Sequence, residues 1–230
     1  MKVKWLGTVD YMSTFAEMQK FTRLRNESTF DEIWMCEHNP TFTQGLAGKA
    51  EHILGHTNAP VIQTDRGGQI TFHSPGQIIA YPLIDLKRLG IFVKEYVHRL
   101  EESIIKTLLC FQITGHRVHG APGIYINLDS PSGHEVLKLP PDALKTSPNT
   151  AFNGLGKIAA LWIKVSRNKT YHGLSLNVRM DLKPFEQINP CGYLGLKTVD
   201  LWSIGAQADI QEVASVLSNK LSIYLSKSLN

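Results

Sequence analysis

The chain has 230 residues, of which 43% are hydrophobic and 19% are charged, and its formal net charge is +4. This composition is typical of a globular protein, and we expect one domain over residues 1–230. The small positive charge does not indicate nucleic-acid binding, and no apolar run approaches the ~18 residues of a membrane span. We therefore expect neither a nucleic acid nor a membrane as a partner.

A capping-box pattern of Thr14 with Glu17 predicts a helix that begins there and runs to about Arg25. Strand patterns follow at residues 32–37, 60–63 and 78–86. Pro82 lies within the third of these patterns. Because proline cannot donate a hydrogen bond to a neighbouring strand, it favours an edge position or a bend there.

Apolar residues from Val97 to Leu108 recur at helical spacing and predict a second helix, with Cys110 packed into the core at its end. Strand patterns follow at residues 123–127, 158–165 and 174–180. Asp209 is placed to cap a last helix, which is apolar along one face to about Leu225. Because the strands and helices do not alternate regularly, the sequence predicts an α+β (mixed α/β) fold.

Residues 127–154 connect two of the predicted strands and are rich in proline, glycine and small polar residues. Such composition predicts a long hairpin loop, which we treat as an insertion in the domain. The loop ends three residues before Lys157. We therefore expect it to contact a protein partner or to cover the site that contains this lysine.

The three cysteines, Cys36, Cys110 and Cys191, are too few for a disulfide scaffold and lack the spacing of a zinc site. They indicate a reducing compartment, and we expect a cytoplasmic protein. His116 and His119 have no third spaced ligand, so we predict no metal and no cofactor.

Cys191 lies in a turn, and Lys157 lies in an apolar stretch. A thiol is a nucleophile at neutral pH when a cation is nearby, and an apolar surrounding lets a lysine act as a base. The two residues together indicate covalent acyl chemistry. Because most cysteines and most buried lysine stems are structural, the pattern by itself leaves that alternative open.

Residues 64–77 contain paired glycines after an arginine, followed by His73 and Gln77. Glycines let the backbone approach a ligand closely, and the two polar side chains could serve the same site. An ordinary glycine-rich hairpin would have the same pattern.

Five segments, taken in chain order, resemble the octanoyltransferases of lipoate synthesis, also called lipoyl(octanoyl) transferases or lipoate-protein ligase B. They are residues 66–77, 121–123, 157–160, 171–177 and 189–192. The resemblance implies the biotin/lipoate protein ligase catalytic fold, a mixed sheet flanked by helices. It also implies Cys191 as the acyl-thioester nucleophile, and Lys157 as the cation that favours its thiolate and as a general acid and base.

The acyl pocket implied by the resemblance consists of Arg66, Gly67, Gly68, Gln69, Ile70, Thr71, Phe72, His73, Ala160, Leu161, Trp162, Gly173, Leu174 and Ser175. Trp162 departs from the family pattern, which usually has glycine there. The loop at residues 127–154 is also longer than usual, and Ser74 replaces a usual glycine.

The implied reaction moves octanoyl from acyl carrier protein to Cys191, and then to a lysine ε-amino group. The acceptors would be lipoyl domains of 2-oxoacid dehydrogenases and the glycine cleavage H protein. No ATP is required, because thioester exchange is nearly isoenergetic and conversion to an amide runs downhill. An ATP-dependent lipoate or biotin ligase of the same fold is an alternative, although it would not need Cys191. A non-catalytic carrier-protein binding module is another.

Overall fold

A computed structural model describes residues 1–133, 144 and 151–226. The strands are β1 (Lys2–Val9), β2 (Glu32–His38), β3 (Thr41–Gln44), β4 (Val61–Gln63), β5 (Ile70–His73), β6 (Gln77–Leu83), β7 (His116–Val118), β8 (Ala121–Asn127), β9 (Leu155–Ser166), β10 (Lys169–Asn177) and β11 (Lys197–Thr198). The helices are α1 (Tyr11–Leu24), α2 (Leu86–Leu89), α3 (Val93–Cys110) and α4 (Ile210–Tyr224). Single 3-10 turns lie at Ala50–His52, Lys183–Gln187 and Pro190–Gly192.

The larger sheet has the order β1-β2-β6-β10-β9-β8-β7, with β11 paired to β9, and the smaller sheet has the order β4-β3-β5. The β1–β2, β3–β4 and β9–β11 pairs are parallel, whereas the other pairs are antiparallel. This mixed sheet with flanking helices confirms the predicted α/β fold. β8 and β9 form the predicted hairpin, but most of the loop at residues 127–154 lies outside the described residues.

Helices cover both faces of the larger sheet. On one face, α3 and α4 bury a large apolar core that includes Leu100, Ile104, Leu176 and Leu217. On the other face, α1 covers a second cluster, and Met18 is completely buried there. Among the described residues, no helix is long and apolar enough to cross a membrane.

The expected edge position of Pro82 is wrong, because β6 lies in the middle of the sheet between β2 and β10. Pro82 is next to the last residue of this strand, which ends at Leu83 and not at Leu86. Its carbonyl accepts hydrogen bonds from the hydroxyls of Thr170 at 2.7 Å and Tyr96 at 3.2 Å. The pairing of β10 with β6 extends only from Gln77 to Ala80, so no ladder bond to β10 is lost at Pro82, and the hydroxyls satisfy its carbonyl.

Two helix predictions also need correction. The cap of α1 is Asp10 and not Thr14: Asp10 Oδ1 accepts from Ser13 N at 2.8 Å, while the Thr14 hydroxyl donates to the Asp10 carbonyl. Cys110 is exposed and not part of the core, since it lies two residues past buried Leu108 and thus on the opposite side of α3. The cap of α4 at Asp209 is confirmed.

Candidate active site

The thiol and the amine selected from the sequence lie next to each other. Cys191 Sγ is 3.0 Å from Lys157 Nζ, although 34 positions separate them in the chain. Lys157 belongs to β9, and only 5% of its surface is exposed. Its ammonium also donates to the Pro122 carbonyl, at 3.1 Å. Lys157 is therefore largely desolvated, whereas Cys191 is half-buried, and the two meet where β8, β9 and the turn at Pro190–Gly192 come together.

Backbone pairing brings the cysteine turn to the lysine strand. After the turn, β11 runs parallel to β9, and Val199 N donates to the Lys157 carbonyl at 3.0 Å. Before the turn, Asn189 N donates to the His52 carbonyl at 2.9 Å. Cys191 itself has φ 58° and ψ 16°, a left-handed conformation that is costly for a residue with a side chain. The surrounding hydrogen bonds hold the thiol in this strained position.

A β-bulge determines which way Lys157 points. Tyr125 pairs with Lys157 and Ile124 pairs with Ala159, so Ile158 is an extra residue on β9. The bulge changes the alternation of side chains along the strand. As a result, Lys157 lines the same cavity as Trp162, although the two positions differ by an odd number of residues.

The charge of Lys157 depends on Cys191. Burial would lower the pKa of Lys157, but the attraction of the Cys191 thiolate outweighs it, and the pKa lies above its ordinary value. Burial also raises the pKa of Tyr125 to about 12, so this phenol is neutral at physiological pH. Lys157 is therefore an ammonium while it faces a thiolate. If the thiolate became a neutral thioester, burial would be the main influence on the pKa of Lys157 and would lower it.

Gly123 makes room for the lysine. It has φ +137°, and a Cβ built there would lie 2.6 Å from Lys157 Cε and 2.7 Å from the Ala159 carbonyl oxygen. The first contact could be relieved only by moving the lysine side chain away from Cys191. The second involves backbone atoms of β9, which cannot move without disturbing the strand pair.

We expect Gly123→Ala to lower stability by about 1–3 kcal/mol, as overpacking does, and to slow alkylation of Cys191 by iodoacetamide at neutral pH. Thermal unfolding and alkylation rates would measure the two effects. Gly7→Ala is the matched control, because Gly7 also has positive φ, +72°, but a Cβ added there would have nothing within 4 Å. Equal alkylation rates for Gly123→Ala and Gly7→Ala would contradict this role.

A cavity of about 350 Å³ opens beside the cysteine and the lysine. Six of the predicted binding residues line it, namely Gly67, Gly68, Gln69, Ile70, Leu161 and Trp162. Further lining residues were not selected from the sequence, namely Val97, Gly120, Ala121, Pro122, Ile163 and Tyr193. Ala121 and Pro122 belong to a segment of the family resemblance, and Tyr193 follows the cysteine turn. Nothing in the sequence around Val97 distinguishes it from the other apolar residues of its helix.

Three more predicted residues line a second space beside the thiol and amine. Thr71, Ala160 and Ser175 line a small space of about 20 Å³ that Lys157 and Cys191 also border. The remaining five predicted residues line neither space, namely Arg66, Phe72, His73, Gly173 and Leu174. Strand alternation explains this in part, because neighbouring residues of a strand point to opposite faces.

These five residues are buried in the structure around the cavity. Phe72 and Leu174 belong to apolar cores. A Cβ on Gly173 would lie 2.0 Å from the Ala80 carbonyl oxygen, so glycine lets β10 approach β6. Arg66 is 1% exposed, and its guanidinium donates to the carbonyls of Gly67 at 2.8 Å and Thr43 at 2.5 Å. The remaining residue, His73, is also buried.

Asp65 connects the glycine-rich segment at residues 64–77 to β10 through hydrogen bonds. Its carboxylate accepts a hydrogen bond from the Tyr171 hydroxyl, and its Oδ1 lies 2.9 Å from His172 Nε2. Burial alone would raise the pKa of Asp65, but the hydrogen bonds from His172 and Tyr171 outweigh it and lower the pKa to about 2. The carboxylate therefore stays charged and anchors the start of the cavity wall.

We expect Asp65→Asn to be less stable than the wild type at pH 7, because the charged acceptor is lost. A carboxyl whose folded pKa lies below its unfolded value of about 3.9 stabilises the fold above that value, and the contribution disappears as the pH falls towards about 2. Urea unfolding measured at successively lower pH should show that the difference in unfolding free energy between the wild type and Asp65→Asn narrows from about pH 5 downward. Asp129→Asn, at an exposed position, is the control. A stability difference that does not change with pH would refute the lowered pKa of Asp65.

The fold and the paired thiol and amine together define a class: a mixed α/β protein with a site suited to covalent acyl transfer. A family model described as the lipoyl protein ligase A/B catalytic domain matches residues 10–222. An octanoyltransferase of Polaromonas naphthalenivorans is 60% identical over 220 residues, which is 96% of each chain. One from Variovorax paradoxus is 58% identical over 225 residues, which is 98% of this chain and 97% of the relative.

Solved structures agree at the level of the fold. A bipartite lipoate protein ligase from Thermoplasma acidophilum has a TM-score of 0.68 at 11% identity, over 97% of this chain and 83% of that one. A biotin protein ligase from Aquifex aeolicus has a TM-score of 0.53 at 13% identity, over 98% of this chain and 68% of that one. The chain belongs to the lipoyl protein ligase A/B catalytic family, and within it to the octanoyltransferases, which are acyltransferases. The resemblance inferred from the sequence is thereby confirmed.

Proposed function

We propose that this chain transfers octanoyl from octanoyl-acyl carrier protein, through a thioester on Cys191, to lysine ε-amino groups. The proposed acceptors are lipoyl domains of 2-oxoacid dehydrogenases and the glycine cleavage H protein. The observation that carries the proposal is the distance of 3.0 Å between Cys191 Sγ and Lys157 Nζ beside the cavity. Relatives named octanoyltransferase at 60% and 58% identity support the choice of acyl group.

In the first step, the Cys191 thiolate attacks the carbonyl carbon of the carrier thioester. The carbon–sulfur bond to the carrier breaks, and the Lys157 ammonium gives its proton to the departing thiolate. The products are acylated Cys191, a free carrier thiol and a neutral Lys157. Because the anion that raised the pKa of Lys157 is gone, burial now favours the neutral amine.

In the second step, the neutral amine of the acceptor lysine attacks the Cys191 thioester. Lys157 takes a proton from the attacking nitrogen, and Cys191 leaves as a thiolate. The products are an amide on the acceptor and the original pair of ammonium and thiolate. One buried lysine can therefore serve as the acid of the first step and the base of the second. No ATP is consumed, because the acyl group arrives already activated as a thioester.

The free thiol also bears on where the enzyme works. We place the reaction in the cytoplasm, because thiols stay reduced there and the chemistry needs Cys191 unoxidised.

The test is to incubate the full chain with octanoyl-acyl carrier protein, without ATP, and to measure its intact mass. We expect one hydroxylamine-labile octanoyl group per chain, which disappears when a lipoyl domain is added and reappears on that domain. Acylation of the domain only from a free acid plus ATP would indicate a ligase instead. Binding of the carrier without an adduct or any transfer would indicate a non-catalytic binding module.

A further inference from the structure

We propose that Trp162 forms the closed end of the acyl cavity and sets the longest acyl chain that the enzyme accepts well, with octanoyl at that limit. The inference rests on the proposed function. Trp162 lines the cavity and is 5% exposed, so its ring contributes a wall and not part of the rim. It lies on the same strand as Lys157, five positions further along, which is at most roughly 16 Å at the spacing of an extended strand because the bulge at Ile158 shortens the path. The reacting thiol and the indole therefore line one cavity at separate positions.

The indole is fixed on more than one side. The His73 ring lies 4.9 Å from it between ring centroids, with an interplanar angle of 86°. The guanidinium of Arg66 lies over its ring at 5.3 Å. Gly68 lies beside it, and a Cβ there would be in ordinary van der Waals contact with Trp162 Cδ1 at 3.9 Å. Contacts with a cation and an imidazole hold the indole in one orientation, so it forms a fixed wall of the cavity.

A chain of hydrogen bonds in turn fixes the two residues that hold the ring. Arg66 donates to Thr43 Oγ1 at 2.9 Å, and Thr43 Oγ1 is 3.1 Å from His73 Nε2. His73 Nδ1 is 2.7 Å from Gln77 Oε1, while Gln77 Nε2 donates to Asn177 Oδ1 at 2.8 Å. Because Gln77 presents its oxygen to the ring, His73 carries its proton on Nδ1 and accepts from the threonine hydroxyl.

The indole N–H supports a role in the cavity. Trp162 Nε1 is buried, and it has no hydrogen-bond partner within the described residues. An unsatisfied buried donor is unfavourable, so a residue that only filled the core would be better as phenylalanine or leucine. The bulk of the indole at this cavity wall gives a reason for its presence that core packing does not.

The consequence for substrates follows from volume. Removing the indole would extend the cavity towards the second apolar cluster, where Met18, Ile79 and Tyr81 lie. Each additional methylene that becomes buried there would favour the longer chain about fourfold. Two such methylenes, the difference between octanoyl and decanoyl, would give a change of about fifteenfold.

The experiment offers the full chain an equimolar mixture of carrier proteins that bear six-, eight-, ten- and twelve-carbon acyl groups, without ATP. Intact mass then gives the ratio of the adducts. We expect the wild type to prefer the eight-carbon group over the longer ones. Trp162→Gly should raise the ten-to-eight ratio by up to about fifteenfold. Trp162→Phe should move it less, in the same direction, and keeps the test available if the glycine variant does not fold.

Trp202→Phe is the matched control, because Trp202 is 36% exposed and does not line the cavity. Its adduct ratios should equal those of the wild type. Adducts that form with unchanged ratios in both Trp162 variants would overturn this inference and leave the proposed function intact. No adduct in the wild type with any chain length would overturn the proposed function, and the inference with it.

Discussion

Replacing Cys191 with serine should eliminate the octanoyl adduct and reduce transfer to a lipoyl domain by on the order of 10⁴-fold or more. A serine hydroxyl remains protonated beside Lys157, because one ammonium at hydrogen-bond distance cannot stabilise an alkoxide at neutral pH. The substitution changes one atom, so the turn at Pro190–Gly192 and its left-handed residue should be preserved. Intact mass gives the adduct, and transfer of octanoyl to a lipoyl domain gives the rate.

Cys110→Ser is the control for this experiment, since Cys110 is exposed and could react with thioesters without enzymatic help. It should retain both the adduct and the transfer. Cys36 is buried, and burial raises the pKa of its thiol, so it should stay unmodified. An adduct that persists in Cys191→Ser and maps to Cys110 would refute the assignment of the nucleophile.

Replacing Lys157 with methionine should slow acylation and transfer by about 10²-fold or more, because both an acid and a base are lost. The methionine keeps most of the buried volume, so the change is mainly the loss of the ammonium. Without this cation at 3.0 Å from Sγ, the thiolate should form only at higher pH. Alkylation by iodoacetamide against pH measures this directly, and the profile of the variant should move upward.

Lys157→Arg separates the two roles of the lysine. Its charge remains, so alkylation of Cys191 at neutral pH should stay closer to that of the wild type. A guanidinium does not give up its proton in proteins, and transfer to the acceptor amine should therefore fail. In the wild type, the midpoint of the alkylation rate against pH belongs to the coupled pair of Cys191 and Lys157 and not to one residue. Superimposable alkylation profiles for the wild type and Lys157→Met would show that Lys157 does not activate the thiol.

Much of the fold and the identity of the reacting pair were available from the sequence. Strands such as β2 and helices such as α4 follow from local patterns of apolar residues, which act over a few residues and do not need the rest of the chain. The candidates Cys191 and Lys157 were selected from residue type and immediate neighbours, because the chemistry requires a thiol and an amine. The family resemblance also rests on short segments, each of which can be recognised without the rest of the chain.

Tertiary structure decided what depends on distant parts of the chain. Pro82 is accommodated in a central strand because the pairing with β10 ends at Ala80 and hydroxyls of Tyr96 and Thr170 satisfy its carbonyl, which no local pattern contains. The direction of Lys157 depends on a bulge that appears only when β8 pairs with β9. The cavity includes Val97 because α3 packs beside β9, and Trp162 lines it with its ring in contact with Arg66 and His73. Residue types determined which chemistry was available, whereas long-range packing determined which groups meet, since contacts between distant segments form only on folding.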